Sequence, residues 1–152
     1  MLSRTTSFPA SGQFENGEHH FPVRIYFEDT DLSGVVYHAN YLRYMERARS
    51  DMLRLLGIDQ RAAQEQGEGV YAVTDVSVRY RASARLDDDL DVRSRLTQLG
   101  AARCVIAQSV WRDDMELTRG SVTVAFLDPA GRPRRQPADW IDRFNRLAPI
   151  PS

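Results

Sequence analysis

Apolar residues fall at every second position, then at helical spacing, then at every second position again. Val23, Ile25 and Phe27 alternate with Arg24 and Tyr26, which predicts a half-buried first strand beginning at Phe21. Tyr41, Tyr44, Met45, Ala48, Met52, Leu55 and Leu56 then recur on one helical face. Arg43, Glu46, Arg47, Ser50, Asp51 and Arg54 fill the other face. Asn40 is placed as N-cap of this helix and Gly57 as its closing C′ glycine. A weaker helical stretch, 59–66, ends at Gly67-Glu-Gly69. Four strand-like runs follow. The first, 70–81, places Val70, Ala72, Thr74, Val76, Val78 and Tyr80 on one face. The others centre on Leu90, Val92 and Leu96, on Cys104, Ile106, Gln108 and Val110, and on Val122, Val124 and Phe126. The connections around Gly100 and Asp113 are short enough for antiparallel hairpins. Pro129 to Pro137 interrupts regular structure, and a short amphipathic turn, 139–147, is expected to dock through Trp140, Ile141 and Phe144.

One long helix with a continuous apolar stripe needs a sheet face to cover it. The pattern therefore gives an α+β fold, a curved antiparallel sheet of about five strands wrapped around one central helix. Such a sheet keeps open edges, which a second subunit can cover. Residues 1–20 show no periodicity and are expected to form a flexible tail, with His19 and His20 solvated in it. A single domain is expected over 21–147 and a C-terminal tail over 148–152.

Composition narrows the classes. With 20 basic against 21 acidic side chains, net charge gives no reason to expect a nucleic-acid partner. No apolar run reaches the roughly 18 residues of a membrane span, and the N-terminus lacks the apolar core of a signal peptide. The single cysteine, Cys104, excludes an intrachain disulfide and fits a cytoplasmic location; its position on an apolar strand face makes it a packed thiol. No Gly-x-Ser-x-Gly elbow, His-Glu-x-x-His or zinc-ligand set is present, so neither a metal nor a cofactor is expected.

Chemistry concentrates between the first strand and the helix, where Asp29-Thr-Asp31-Leu-Ser33-Gly34 precedes Val35-Val-Tyr37-His38-Ala-Asn40. A calcium loop fails, because position 12 of the EF-hand pattern is Asn40 where Glu is required and a strand stands where the entering helix belongs. A merely structural turn is the second reading, since Asp and Gly are common turn residues. Against it, Asn40 already supplies a cap and Val35-Val-Tyr37 suggests a loop folded inward. A carboxylate upstream of a helix N-terminus also suits carbonyl chemistry: the carboxylate attacks or activates water while the helix end holds an oxyanion.

The run Phe27 to Tyr41 resembles the active-site signature of the hotdog-fold acyl-CoA thioesterases, within them the 4-hydroxybenzoyl-CoA thioesterase family and its Tol–Pal-associated branch. The similarity continues through Tyr44-Met-Glu-Arg-Ala-Arg49 and Val78 to Asp88. The resemblance implies a hotdog fold and hydrolysis of an acyl-CoA thioester, with coenzyme A as part of the substrate. It implies Asp31 as nucleophile or general base, and backbone N–H groups near Tyr37 and His38 as oxyanion donors. The His38 side chain either orients substrate or assists proton transfer, or else only packs; Asp29 shapes the turn, and Glu46 is a solvated ion-pair partner. Gly34, Val35 and Asn40 would contact substrate. Arg79, Arg81 and Arg85, or alternatively Arg132, Arg134 and Arg135, would meet the coenzyme A phosphates. A homodimer or homotetramer with sites at the subunit interface is implied. The alternative function is a non-catalytic acyl-CoA-binding or scaffolding protein that links lipid enzymes to the cell envelope.

Overall fold

The computed structural model describes residues 8–147; of the tails expected at 1–20 and 148–152, residues 1–7 and 148–152 lie outside the described residues. Six strands form one antiparallel sheet. They are β1 (Gln13–Glu15), β2 (Glu18–Arg24), β3 (Val70–Tyr80), β4 (Asp89–Leu99), β5 (Arg103–Arg112) and β6 (Met115–Leu127), in the order β1-β2-β4-β5-β6-β3. The helices are α1 (Asn40–Leu55), α2 (Gln60–Glu65) and α3 (Ala138–Asn145). The long α1 packs across β2, β4 and β5, giving the expected helix wrapped by a sheet, the hotdog arrangement.

The sheet begins earlier than the alternation suggested. Residues 13–24 form a hairpin, and its turn is Asn16-Gly17, both at positive φ (52° and 77°) as a two-residue I′ turn requires. Residues 13–20 are therefore strand and turn, and the domain includes them. His19 is fully buried: its Nε2 lies 2.7 Å from Asp51 Oδ2 on α1, which also accepts the Gly12 N–H at 2.9 Å. His20 Nδ1 meets Asp91 Oδ2 at 2.8 Å on the neighbouring strand. At the other end, β2 stops at Arg24, and Phe27 is 81% exposed in a 3₁₀ turn (Phe27–Asp29) rather than continuing the strand.

The helix follows its stripe until the last turn. Tyr41, Tyr44, Met45, Ala48, Met52 and Leu53 are buried, each large one contributing about 1.5–3 kcal/mol of apolar burial. Leu55, expected in the stripe, is 41% exposed. The cause is the chain reversal at Gly57 (φ 77°), where Gly57 N–H bonds Arg54 O and Ile58 N–H bonds Leu53 O in a Schellman cap. That reversal brings Ile58 and Ala63 into the cluster around Leu53.

A bulge corrects β3. Its register with β6 slips between Val73 and Asp75, so Thr74 is an extra residue and the faces exchange there. Tyr71 packs on Phe126 and Trp140 before the bulge, and Tyr80 on Tyr41 after it. The helix-facing set is thus Tyr71 and Val73, then Val76, Val78 and Tyr80, not a single alternation from Val70. The inward sets expected for β4, β5 and β6 are buried, and α3 docks through Trp140 and Phe144.

The core falls into two apolar clusters, one around Tyr44 and Met45 and one around Met52 and Phe126. Between them lies a buried polar pair, Gln108 and Ser94. Gln108 Nε2 donates to Met45 O and to Ser94 Oγ, both at 2.9 Å.

Candidate active site

The loop between β2 and α1 is a small zipped structure. Asp29 shapes its entry: its Oδ2 accepts the Tyr26 N–H at 2.8 Å, and its carbonyl accepts the Tyr37 N–H at 3.1 Å. Thr30 bridges Val36, Asp31 N–H donates to Val35 O at 2.9 Å, and Gly34 N–H returns to Asp31 O at 3.0 Å. Asp31-Leu32-Ser33-Gly34 is therefore the tip of a miniature hairpin. Gly34 sits at φ 83° with open space where a Cβ would project, so glycine is needed there for backbone conformation, not for clearance.

Asp31 is exposed at this tip. Ser33 gives it two hydrogen bonds, from its N–H at 2.8 Å and from its hydroxyl, both to Oδ1. Those donors hold the Asp31 carboxyl below its ordinary pKa, the hydroxyl first. The group is thus ionised at neutral pH, and its Oδ2 has no hydrogen bond among the described residues.

The helix start differs from expectation. Asn40 does not cap: its Nδ2 donates to Asp29 O at 2.9 Å, and Ala39, with helical φ/ψ (−66°, −21°), occupies the cap position without a side-chain bond. A tight turn leads in, with the Asn40, Tyr41 and Leu42 N–H groups bonded to the carbonyls of Tyr37, His38 and Ala39. Asn40 instead ties the helix to the loop, because Asp29 O already holds the Tyr37 N–H. That use of the Tyr37 amide removes it as an oxyanion donor. The N–H groups of His38 and Ala39 have no acceptor among the described residues and stand at the positive end of a sixteen-residue helix. The Asp29–Tyr37 and Asp31–Val35 pairs are two residues apart along this miniature hairpin, about 7 Å.

Side chains are placed unevenly around this loop. His38 is exposed, its ring edge-on to Tyr37 at 4.7 Å and to Tyr80 at 5.9 Å between centroids. Val36 is buried, whereas Val35 forms a bridge to Arg85 that sets the arginine beside the loop. Arg79 does not join them within one chain: it alternates with Tyr80 and so leaves β3 on the face away from α1. Arg81, just past the end of β3, is exposed with its N–H on Leu117 O. The Arg132, Arg134 and Arg135 group lies at the other end of β3, where Val70 pairs Leu127, about 33 Å along the strand from Tyr80. Arg134 is there a structural tie, donating to the carbonyls of Gly67 and Glu68.

A supporting chain of bonds was not foreseen. The buried Tyr41 hydroxyl accepts the Ala84 N–H at 2.9 Å, and Ala84 O accepts the Val36 N–H at 2.9 Å. Asp88 accepts the Arg85 N–H and pairs with Arg112 at 2.9 Å. The segment 82–88 thus fastens the loop to the first turn of α1. The available signal was Tyr41 itself, since a tyrosine in an apolar stripe needs a partner for its hydroxyl.

Comparison with known proteins gives the family. Residues 33–119 match the thioesterase superfamily. The chain is similar to acyl-CoA thioesterase YbgC of Haemophilus influenzae, 39% identical over 71% of this chain and 79% of that protein. It is also similar to acyl-CoA thioester hydrolase YbgC of Escherichia coli, 36% identical over 83% of this chain and 95% of that one. Among solved structures, a probable thioesterase from Bartonella henselae superposes with a TM-score of 0.76 at 33% identity, covering 79% of this chain and 99% of the other. The match over residues 33–119, more than half of the chain, together with these relatives, places this protein in the thioesterase superfamily.

Proposed function

We propose that the chain hydrolyses the thioester of an acyl-coenzyme A to the free acid and coenzyme A. The observation that carries this is the pairing, in one loop, of an ionised Asp31 with the unbonded N–H groups of His38 and Ala39. Asp31 adds to the thioester carbonyl carbon itself or removes a proton from the water that adds. In either case negative charge gathers on the carbonyl oxygen, where the two amides and the helix end stabilise it. Collapse of the tetrahedral intermediate breaks the C–S bond and releases the coenzyme A thiolate. Where water adds, this leaves the free acid. Where Asp31 adds, it leaves an Asp31–acyl anhydride that a water then hydrolyses to the free acid, restoring the carboxylate. The His38 imidazole stands beside these donors and orients the bound thioester. Arg85, held beside the loop through Val35, is the arginine best placed for a coenzyme A phosphate.

The working unit is a homodimer joined along β3. This strand is a sheet edge, and Val73, Val76 and Tyr80 on its helix-facing side are 43–48% exposed. A dimer of dimers is the larger assembly this reading allows. The reaction belongs in the cytoplasm, in keeping with its acyl-CoA substrate; no helix of the described residues is long and apolar enough to cross a membrane. The test is a panel of aliphatic and aromatic acyl-CoAs followed by thiol release. Turnover supports hydrolysis, whereas acyl-CoA binding without turnover favours a scaffold.

A further inference from the structure

Beneath the C-terminal half of α1 lies a cavity of about 100 Å³ walled by Met52, Leu53, Val73, Ile106 and Val124, and bordered by Arg49. Arg49 is the unusual member. Its Nη1 donates to Gln108 Oε1 at 2.9 Å, its one hydrogen bond among the described residues, and no carboxylate bonds it. Glu46, one turn earlier and exposed, acts on it only through space. Gln108 cannot turn to offer more, because its Nε2 is held by Met45 O and Ser94 Oγ. A guanidinium taken partly out of water beside apolar walls, with a single neutral acceptor in contact and a carboxylate acting only from a distance, is an incompletely compensated charge. Four of its five N–H donors have no partner among the described residues. A carboxylate accepts two of these in parallel, the strongest pairing available to arginine.

The cavity lies on the same seam as the loop. β3 borders the cavity at Val73 and ends at Tyr80 against His38, while α1 runs from the loop to Arg49. Arg49 lies nine positions after Asn40 on the helix, about 13 Å along its axis. The geometry points to this cavity as the seat of the distal end of the acyl group, where Arg49 reads a terminal carboxylate. The preferred substrates are then coenzyme A monothioesters of dicarboxylic acids. This inference rests on the thioesterase reading above. Glu46, at the rim, opposes the same carboxylate and so limits the preference.

The test compares kcat/KM on octanedioyl-CoA and octanoyl-CoA, which differ only in the terminal carboxylate, for wild type, Arg49→Met, Arg49→Lys and Glu46→Gln. Wild type is expected to favour the diacid thioester at least tenfold. Arg49→Met lowers that ratio at least tenfold, Arg49→Lys restores part of it, and Glu46→Gln raises it. Should Arg49→Met fail to fold, the wild-type ratio and the exposed Glu46 variant still decide. A wild-type ratio of one or less overturns the inference, as does a ratio that Arg49→Met leaves unchanged. Weakened self-association in Arg49→Met with an unmoved ratio assigns the missing anion to a second copy, which also overturns it. Hydrolysis without discrimination refutes this inference alone, whereas failure to hydrolyse any acyl-CoA refutes the thioesterase reading and this with it.

Discussion

Removing one oxygen from Tyr41 tests whether the loop is fastened from below. In Tyr41→Phe the ring still fills its place, 2% exposed, but the Ala84 N–H loses its acceptor at a residue that is itself fully buried. Leaving a buried amide unsatisfied costs about 1–3 kcal/mol. For a chain of this size each kcal/mol lowers Tm by about 2–4 °C. The companion Tyr80→Phe provides the control: Tyr80 is 43% exposed and its hydroxyl has no partner among the described residues, so a change within about 0.5 kcal/mol is expected. The damage extends to the site because Ala84 O holds the Val36 N–H. A loop freed there misplaces Asp31 against the His38 and Ala39 amides, and kcat falls on the order of 10- to 100-fold. Urea denaturation gives the first number and acyl-CoA hydrolysis the second. Tyr41→Phe as stable as Tyr80→Phe refutes the buried bond. Loss of stability with unchanged kcat refutes the claim that it positions the loop.

Ser33→Ala removes the hydroxyl that most lowers the Asp31 pKa. Because the ionised form is active, the acid limb of kcat/KM, expected below the ordinary aspartate range in wild type, moves to higher pH; an unmoved limb assigns that ionisation elsewhere. Asp51→Ala strips the acceptor from two donors, His19 Nε2 and the Gly12 N–H, and is expected to cost about 2–5 kcal/mol by urea denaturation. Burial holds the His19 pKa below its ordinary 6.5, and its Nδ1 has no partner among the described residues to take a second proton's hydrogen bond. The unfolded chain therefore takes up this proton first as pH falls, so His19 lowers wild-type stability below about pH 6.5; His19→Gln flattens that part of the profile. Val76→Lys charges the open edge of β3 and is expected to yield monomer in sedimentation velocity; an unchanged dimer removes β3 from the interface.

What the sequence made legible was set by how local the determining physics is. The α1 stripe as far as Met52, its Gly57 stop and the inward faces of β4 to β6 follow from residues within one element, and they hold in three dimensions. The bulge at Thr74 arises from pairing with β6, so nothing in β3 alone announces the exchange of faces. His19 looked solvated because its partner is Asp51, thirty-two residues away; Asn16-Gly17 was the turn signal that would have placed it in a hairpin. Within the loop, the order of Asp31, Gly34 and His38 was readable as chemistry. The part of Asn40 was not, since a good capping residue was drawn instead to Asp29 O. The support from Tyr41, Ala84 and Arg112 crosses three segments and needed the fold.

The central claim is that the Asp31 carboxylate carries hydrolysis against amides at the start of α1. Asp31→Asn keeps the size of the side chain and an acceptor for Ser33 while removing the charge, so it separates chemistry from folding. The decisive measurement is the rate of thiol release from the best acyl-CoA of the panel by wild type and by Asp31→Asn, with Tm recorded for both. A fall of about a hundredfold or more in kcat at an unchanged Tm is the result expected. Turnover that survives the substitution contradicts the account and moves the catalytic group away from this loop.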